Sequence, residues 1–162
     1  MSKFTVVDDL LAPADTIVVR FQGKNPFAAA SMVPGMLRQV LQVTSKDVLE
    51  TEIKWDATRE TREFFGKWMG KRKEDFWTKT IAEVIIQGEQ ESKEKTGWCR
   101  IQLRGVVQTE YEFTNPFQKP FWLLYNKYFY SKQRRAYIEQ GKDFLYKMRN
   151  IFQNTLGITP AV

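Results

Sequence analysis

The stretch WCRIQLRGVVQTEYEF, residues 98–113, constrains this chain more than any other. Cys99, Ile101, Leu103, Gly105, Val107, Thr109, Tyr111 and Phe113 fall on one side, opposite Arg100, Gln102, Arg104, Gln108, Glu110 and Glu112. A period of two with one apolar and one polar side is a strand with one face buried and one in water. Sixteen residues at roughly 3.3 Å each would run about 50 Å, too far to stay flat in a small domain. The spacing therefore predicts a strongly curved sheet with a bend or bulge near Gly105.

Further strands read from the same alternation. TIVVRFQ (16–22), DVLETEIKW (47–55), REFFGKWMG and FWTKTIAEVIIQ each carry it, the last with Phe76, Thr78, Thr80, Ala82, Val84 and Ile86 on one face. Lys3–Val7 is either a weak strand or an extended arm. GKRKED (70–75) reads as a polar turn and GEQESKEKTG as a solvated loop. Asn25 and Pro26 form a helix start, with Asn25 as cap, and Pro34-Gly35 is expected to split the helical segment into two short helices near 26–33 and 35–42. Asn115-Pro116 repeats the device and opens a helical run to about Thr155, with Gly157 as its stop. Unbroken, 38 residues would measure about 57 Å, so a break near Ser131 is expected. Tyr137, Ile138, Gly141, Phe144, Leu145, Met148, Ile151 and Phe152 recur at three and four spacing, which gives this helix one buried face.

The chain has 162 residues, one cysteine and no histidine. That length suits one domain, 1–162, with an N-terminal arm at 1–15. Cys99 alone can form neither an intrachain disulfide nor a thiolate metal site, and its strand position marks it as a core thiol. Without histidine the usual base near neutral pH is missing, and with it Ser-His and Cys-His hydrolysis. No cofactor and no metal is implied. No uncharged run exceeds 13 residues, too few to span a bilayer. With no signal-like start and no disulfide capacity, the expected location is cytoplasmic, peripheral at a membrane at most.

The element order is a strand, short helices, a run of antiparallel strands and a long closing helix. It resembles the START-related helix-grip superfamily, which includes polyketide cyclases and lipid-transfer domains. The resemblance spans about residues 16–155 and rests on element order, the long strand 98–113 and the amphipathic helix 134–155. It implies an α+β fold in which a curved antiparallel sheet wraps the C-terminal helix over a cavity for hydrophobic small molecules or lipids. The glycine-rich loop of plant members is missing, and no catalytic residue transfers.

The residues suggest a cavity independently. Thr78, Thr80, Ala82, Gly105, Thr109 and Gly141 are small or polar where a filled core favours larger side chains. Either large neighbours such as Trp55, Phe64 and Trp68 close the gap, or a ligand does. The expected ligand-binding set is Thr78, Thr80, Ala82, Leu103, Gly105, Val107, Thr109, Tyr111, Gly141, Phe144, Leu145 and Met148, with the hydroxyls orienting a polar head. Met32 and Met36, on either side of Pro34-Gly35, are the candidate entrance lid.

Charge singles out the C-terminal third. Residues 114–162 hold eight Lys and Arg against two Asp and Glu, while residues 1–113 balance at 17 of each. Within 117–135, aromatic and leucine side chains surround the helix among cations, the chemistry of an interfacial segment. Trp122, Tyr125, Lys127, Tyr128, Arg134 and Arg135 are the expected membrane or partner surface. A membrane and burial within the domain or a homodimer rank equally, and nucleic acid ranks last because the remainder is neutral and carries no binding motif. The expected function is binding or transfer of a hydrophobic small molecule or lipid. The alternatives are a cyclase- or aromatase-type enzyme and a dimeric interaction module without a cavity.

Overall fold

A computed structural model describes residues 2–12 and 14–158; Met1, Pro13 and 159–162, parts of the single domain expected from sequence, lie outside the described residues. The fold is α+β. Six strands, β1 (Ser2–Asp9), β2 (Ile17–Lys24), β3 (Val48–Asp56), β4 (Thr61–Lys73), β5 (Thr78–Glu91) and β6 (Thr96–Phe113), form one antiparallel sheet. Among the described residues three α-helices, α1 (Ala28–Leu41), α2 (Gln118–Tyr125) and α3 (Ser131–Leu156), and a 3-10 turn, Ser45–Asp47, complete it, with a π-helical turn, Asn126–Tyr130, joining α2 to α3. The helical run continues through this π turn in place of the break expected near Ser131, and Gly157 ends α3 in the left-handed conformation.

The long strand β6 organises the sheet. Along one side it pairs with β5, from Thr78↔Thr109 to Gln90↔Gly97, without a register shift. Along the other it pairs with β1 over Val106–Phe113 and with β2 over Thr96–Leu103. The interruption expected at Gly105 therefore lies in the partner edge: β1 ends opposite Val106 and β2 begins opposite Leu103, and between them the Leu10 amide donates to the Gly105 carbonyl at 2.9 Å. This pairing also resolves Lys3–Val7 as strand.

The alternation of β6 becomes burial: Ile101, Leu103, Val107, Thr109 and Tyr111 are inaccessible, and Arg104 and Glu112 are exposed. Against that face lie Phe144, Leu145, Met148 and Phe152 of α3, while Val33, Leu37 and Leu41 of α1 extend the same core over β3–β5 and against α3. A Cβ on Gly70 would stand 2.6 Å from Leu41 Cδ1, so α1 reaches β4 only because this position is glycine. One helix replaces the two expected. Pro34 removes one hydrogen bond, but the buried stripe from Ala29 to Leu41 crosses it, and that burial offsets a cost of about 3 kcal/mol. Asn25 does not cap this helix; it turns the chain at φ 54°, and Gln90 Oε1 accepts from the Phe27 amide at 3.1 Å. At the second copy of the device, Asn115 Oδ1 does accept from the Phe117 amide, at 2.9 Å.

Candidate functional site

The expected ligand-binding residues are all buried, on β5, β6 and the buried face of α3, but the two glycines among them do not leave a vacancy. A Cβ on Gly141 would stand 2.5 Å from Leu10 Cδ2, and one on Gly105 would stand 2.7 Å from Leu10 Cδ1. Leu10, fully inaccessible, fills the space between β6 and α3 at this point. The hydroxyls are taken as well. Thr80 donates to Glu74 Oε1 at 2.9 Å, and Tyr111 donates to Asn126 Oδ1 at 3.3 Å. Met36 is buried and Met32 half-buried on a continuous α1, so no hinge separates the expected lid residues.

Thr78 and Thr109 join a polar chain that ends on Asp75. Tyr130 donates its single hydroxyl proton to Asp75 Oδ2, so Thr78, 2.6 Å from that hydroxyl, donates to it and in turn accepts from Thr109 at 2.8 Å. Asp75 also accepts from Tyr137 at 3.0 Å and from the amides of Trp77 and Thr78 at 2.8 and 2.9 Å. Burial pushes the Asp75 carboxyl upward, yet these four donors together hold it below its ordinary value. The same burial raises the phenols: Tyr130 is pushed far up, with Asp75 adding to it, and Tyr111 goes up to about 12. One carboxylate thus ties the β4–β5 hairpin to the π turn and to α3.

Rings close over this polar chain at the end of the sheet. Trp122 of α2 stacks on Tyr111 at 4.5 Å and 8°. Trp77 stands 5.8–5.9 Å from the rings of Tyr111, Trp122, Tyr125 and Tyr130. Offset and edge-on pairs of this kind contribute about 0.5–1.5 kcal/mol each beyond burial. Beside them opens a cleft of about 640 Å³. Phe76, Trp77 and Trp122 form its aromatic wall; Lys71, Lys73, Lys79, Gln108, Glu110 and Glu112, with Asp47, Asp75 and Thr78, line the rest. Glu110 pairs with Lys3 at 3.8 Å, whereas Lys71, Lys73 and Lys79 have no carboxylate within ion-pair distance among the described residues. A smaller, apolar pocket of about 180 Å³ lies between α1 and β3–β4, against Phe27, Pro34, Ile53, Phe64 and Trp68.

The expected membrane or partner surface divides in two. Lys127, Tyr128 and Arg135 are exposed, and Trp122 and Tyr125 are half-buried in the ring cluster. Arg134 is a correction: it is 5% exposed, pairs with Asp8 at 2.6 Å and reaches the carbonyls of Val6 and Val107 at 3.5 Å. It lies three, four and seven residues before Tyr137, Ile138 and Gly141, so it belongs to the buried stripe of α3 despite its charge. Sequence reasoning alone misses Asp75, Phe76, Trp77 and Tyr130 as site residues. Two adjacent rings inside the polar run KRKEDFWTK are the available signal.

No protein-family model matches the chain, and no curated protein does. Among solved structures, the chain is similar to the protein of unknown function SA2116 from Staphylococcus aureus, at 11% identity over 86% of this chain and 97% of that one, with a TM-score of 0.29. An uncharacterised protein from Rhizobium leguminosarum is 10% identical over 89% of this chain and 99% of its own, with a TM-score of 0.21. Likenesses this slight bear on neither fold nor function.

Proposed function

We propose that this is a helix-grip domain of the START-related kind and that it binds an amphipathic, lipid-like small molecule. The site is the cleft where the end of the sheet, the β4–β5 hairpin and α2 meet, rather than the Leu10-filled interface at Gly105 and Gly141. One observation carries the reading: the cleft sets Phe76, Trp77 and Trp122 on one side against lysines and carboxylates on the other. Its 640 Å³ falls within the roughly 300–1,000 Å³ of small-molecule sites. An alkyl chain against the rings would be held by burial at about 25 cal/mol per Å², with the charged rim orienting the head.

The test is titration with an anthroyloxy-labelled fatty acid in vesicle-free solution. The wild type should bind it and release it to unlabelled fatty acid, and Trp122→Ala should weaken binding about tenfold, for a ring contact of about 1.5 kcal/mol. Unchanged affinity in that variant would remove the site from the cleft, and no binding at all would end the reading.

A cyclase- or aromatase-type activity is the second reading. Asp75 favours it, as an ionised carboxylate lining the cleft beside two phenols. Its four donors occupy the oxygens a general base would need, which places this reading second.

A further inference from the structure

The end of the molecule that carries the cleft also carries the most exposed aromatic side chains among the described residues, and they come from two distant parts of the sequence. At the N-cap of α2, on α2 and on the π turn, Phe117 is 82%, Phe121 62%, Tyr128 65% and Phe129 77% exposed, and at the tip of the β4–β5 hairpin Phe76 is 84% exposed. Phe117, Phe121, Leu124 and Tyr128 succeed one another at four, three and four residues, an outward stripe behind the inward pair Trp122 and Tyr125. Phe76 meets Trp77 edge-on at 6.0 Å, and Trp77 meets Trp122 at 5.9 Å, so hairpin tip and helix share one aromatic surface.

The charges around that surface are sorted. From Thr114 to Ile138 the sequence has no Asp or Glu, and Lys119, Lys127, Lys132 and Arg135 are exposed. On the hairpin the acids turn inward: Glu74 pairs with Arg72 at 3.3 Å with its side chain 4% exposed, and Asp75 is held by Tyr130 and Tyr137. Lys71, Lys73 and Lys79 are left without ion-pair partners among the described residues. The opposing charges in the cleft are the exposed Glu112, Glu110, which pairs with Lys3, and Asp47, which is bonded to Thr44. Exposed rings within a rim of free cations match the lipid interface, where rings sit at headgroup depth and cations meet anionic phosphate. A second copy of the chain would bring like charges together at the same face.

The geometry points to a docking surface for an anionic bilayer, built jointly by the β4–β5 hairpin and the α2–π segment. It does not rest on the ligand reading: vesicle binding and fatty-acid binding are separate measurements, and either can fail alone. Co-sedimentation with vesicles of equal parts phosphatidylcholine and phosphatidylglycerol, against phosphatidylcholine alone, tests it. The full chain should partition onto the anionic vesicles only, and less as salt rises. Phe76→Ser and Phe121→Ser should each lower the partition coefficient about tenfold or more, and Lys73→Gln about fivefold. All three positions are exposed, and matching circular dichroism spectra establish that the variants fold. Equal binding to both vesicle types, no binding, or a loss confined to the α2 variant would overturn the proposal. So would a stable dimer in sedimentation velocity that Phe121→Ser dissociates, since the surface would then be an interface between copies.

Discussion

Leu10 occupies the space that a side chain at Gly141 would need, its Cδ2 lying 2.5 Å from the position of a Cβ there. Glycine inside a helix costs about 1 kcal/mol relative to alanine, so Gly141→Ala would stabilise α3 if nothing stood in the way. Leu10 is fully buried and touches Gly105 as well, so it cannot swing clear. Gly141→Ala should therefore destabilise the protein by about 1–2 kcal/mol, overpacking outweighing propensity. Leu10→Ala should cost about 2–5 kcal/mol by itself. In that background, Gly141→Ala should become neutral or stabilising. Urea denaturation of the four proteins decides it, and strictly additive effects would show that the two sites do not meet.

The Asp75 clamp should appear in the pH dependence of stability. The folded carboxyl titrates below its ordinary value of 3.8 because Tyr130, Tyr137 and two amides stabilise its charge against the opposing effect of burial. A depressed folded value means that the unfolded chain takes up the proton first as pH falls. The contribution is thus complete above about pH 5 and disappears through and below pH 4. Asp75→Asn should lose about 1.5–3 kcal/mol at pH 7 and show a flatter fall between pH 5 and 3 than the wild type. Parallel curves would mean that the carboxylate's charge does not hold the hairpin to α3.

The sheet was legible because β6 alternates over its whole length, and α3 because its stripe from Tyr137 to Phe152 survives every charge between. Leu10 was not. It sits in DDLLAPAD, which has no period to assign it an inward direction, and only the pairing of β1 and β2 along one edge of β6 points it at Gly105. A void inferred from small residues is a statement about two elements, and here a third supplied the volume. The α2 face was legible in outline, as aromatic and basic, but the hairpin beside it reads as a polar turn because KRKED outweighs the two rings after it. Pro34 misleads in the opposite direction, since a local break signal carries no information about the burial that continues across it.

Cys99 is 1% exposed, and burial pushes its thiol up to about 11. A thiol that is both inaccessible and protonated at pH 8 should not react with a disulfide reagent in the folded state. Modification should track the global unfolding rate and become immediate in denaturant. Rapid labelling of the native protein would place the thiol at the surface of β6.

Arg134 and Asp8 form an unequal ion pair, and the inequality predicts which partner matters more. The guanidinium is buried, with 6% of its side chain exposed, while 44% of Asp8 faces water. Removing Asp8 strands a cation in the core with only two carbonyls at 3.5 Å. Removing Arg134 leaves a carboxylate that water can solvate. Asp8→Ala should therefore cost about 3 kcal/mol, the low end for breaking a buried pair, whereas Arg134→Met, which keeps the packing volume and deletes the charge, should stay within about 1 kcal/mol of wild type. The double variant should resemble Arg134→Met alone. Urea midpoints measured at pH 7 for all three give the order, and an Arg134→Met loss as large as that of Asp8→Ala would mean that the pair itself, rather than the desolvated cation, sets the energy.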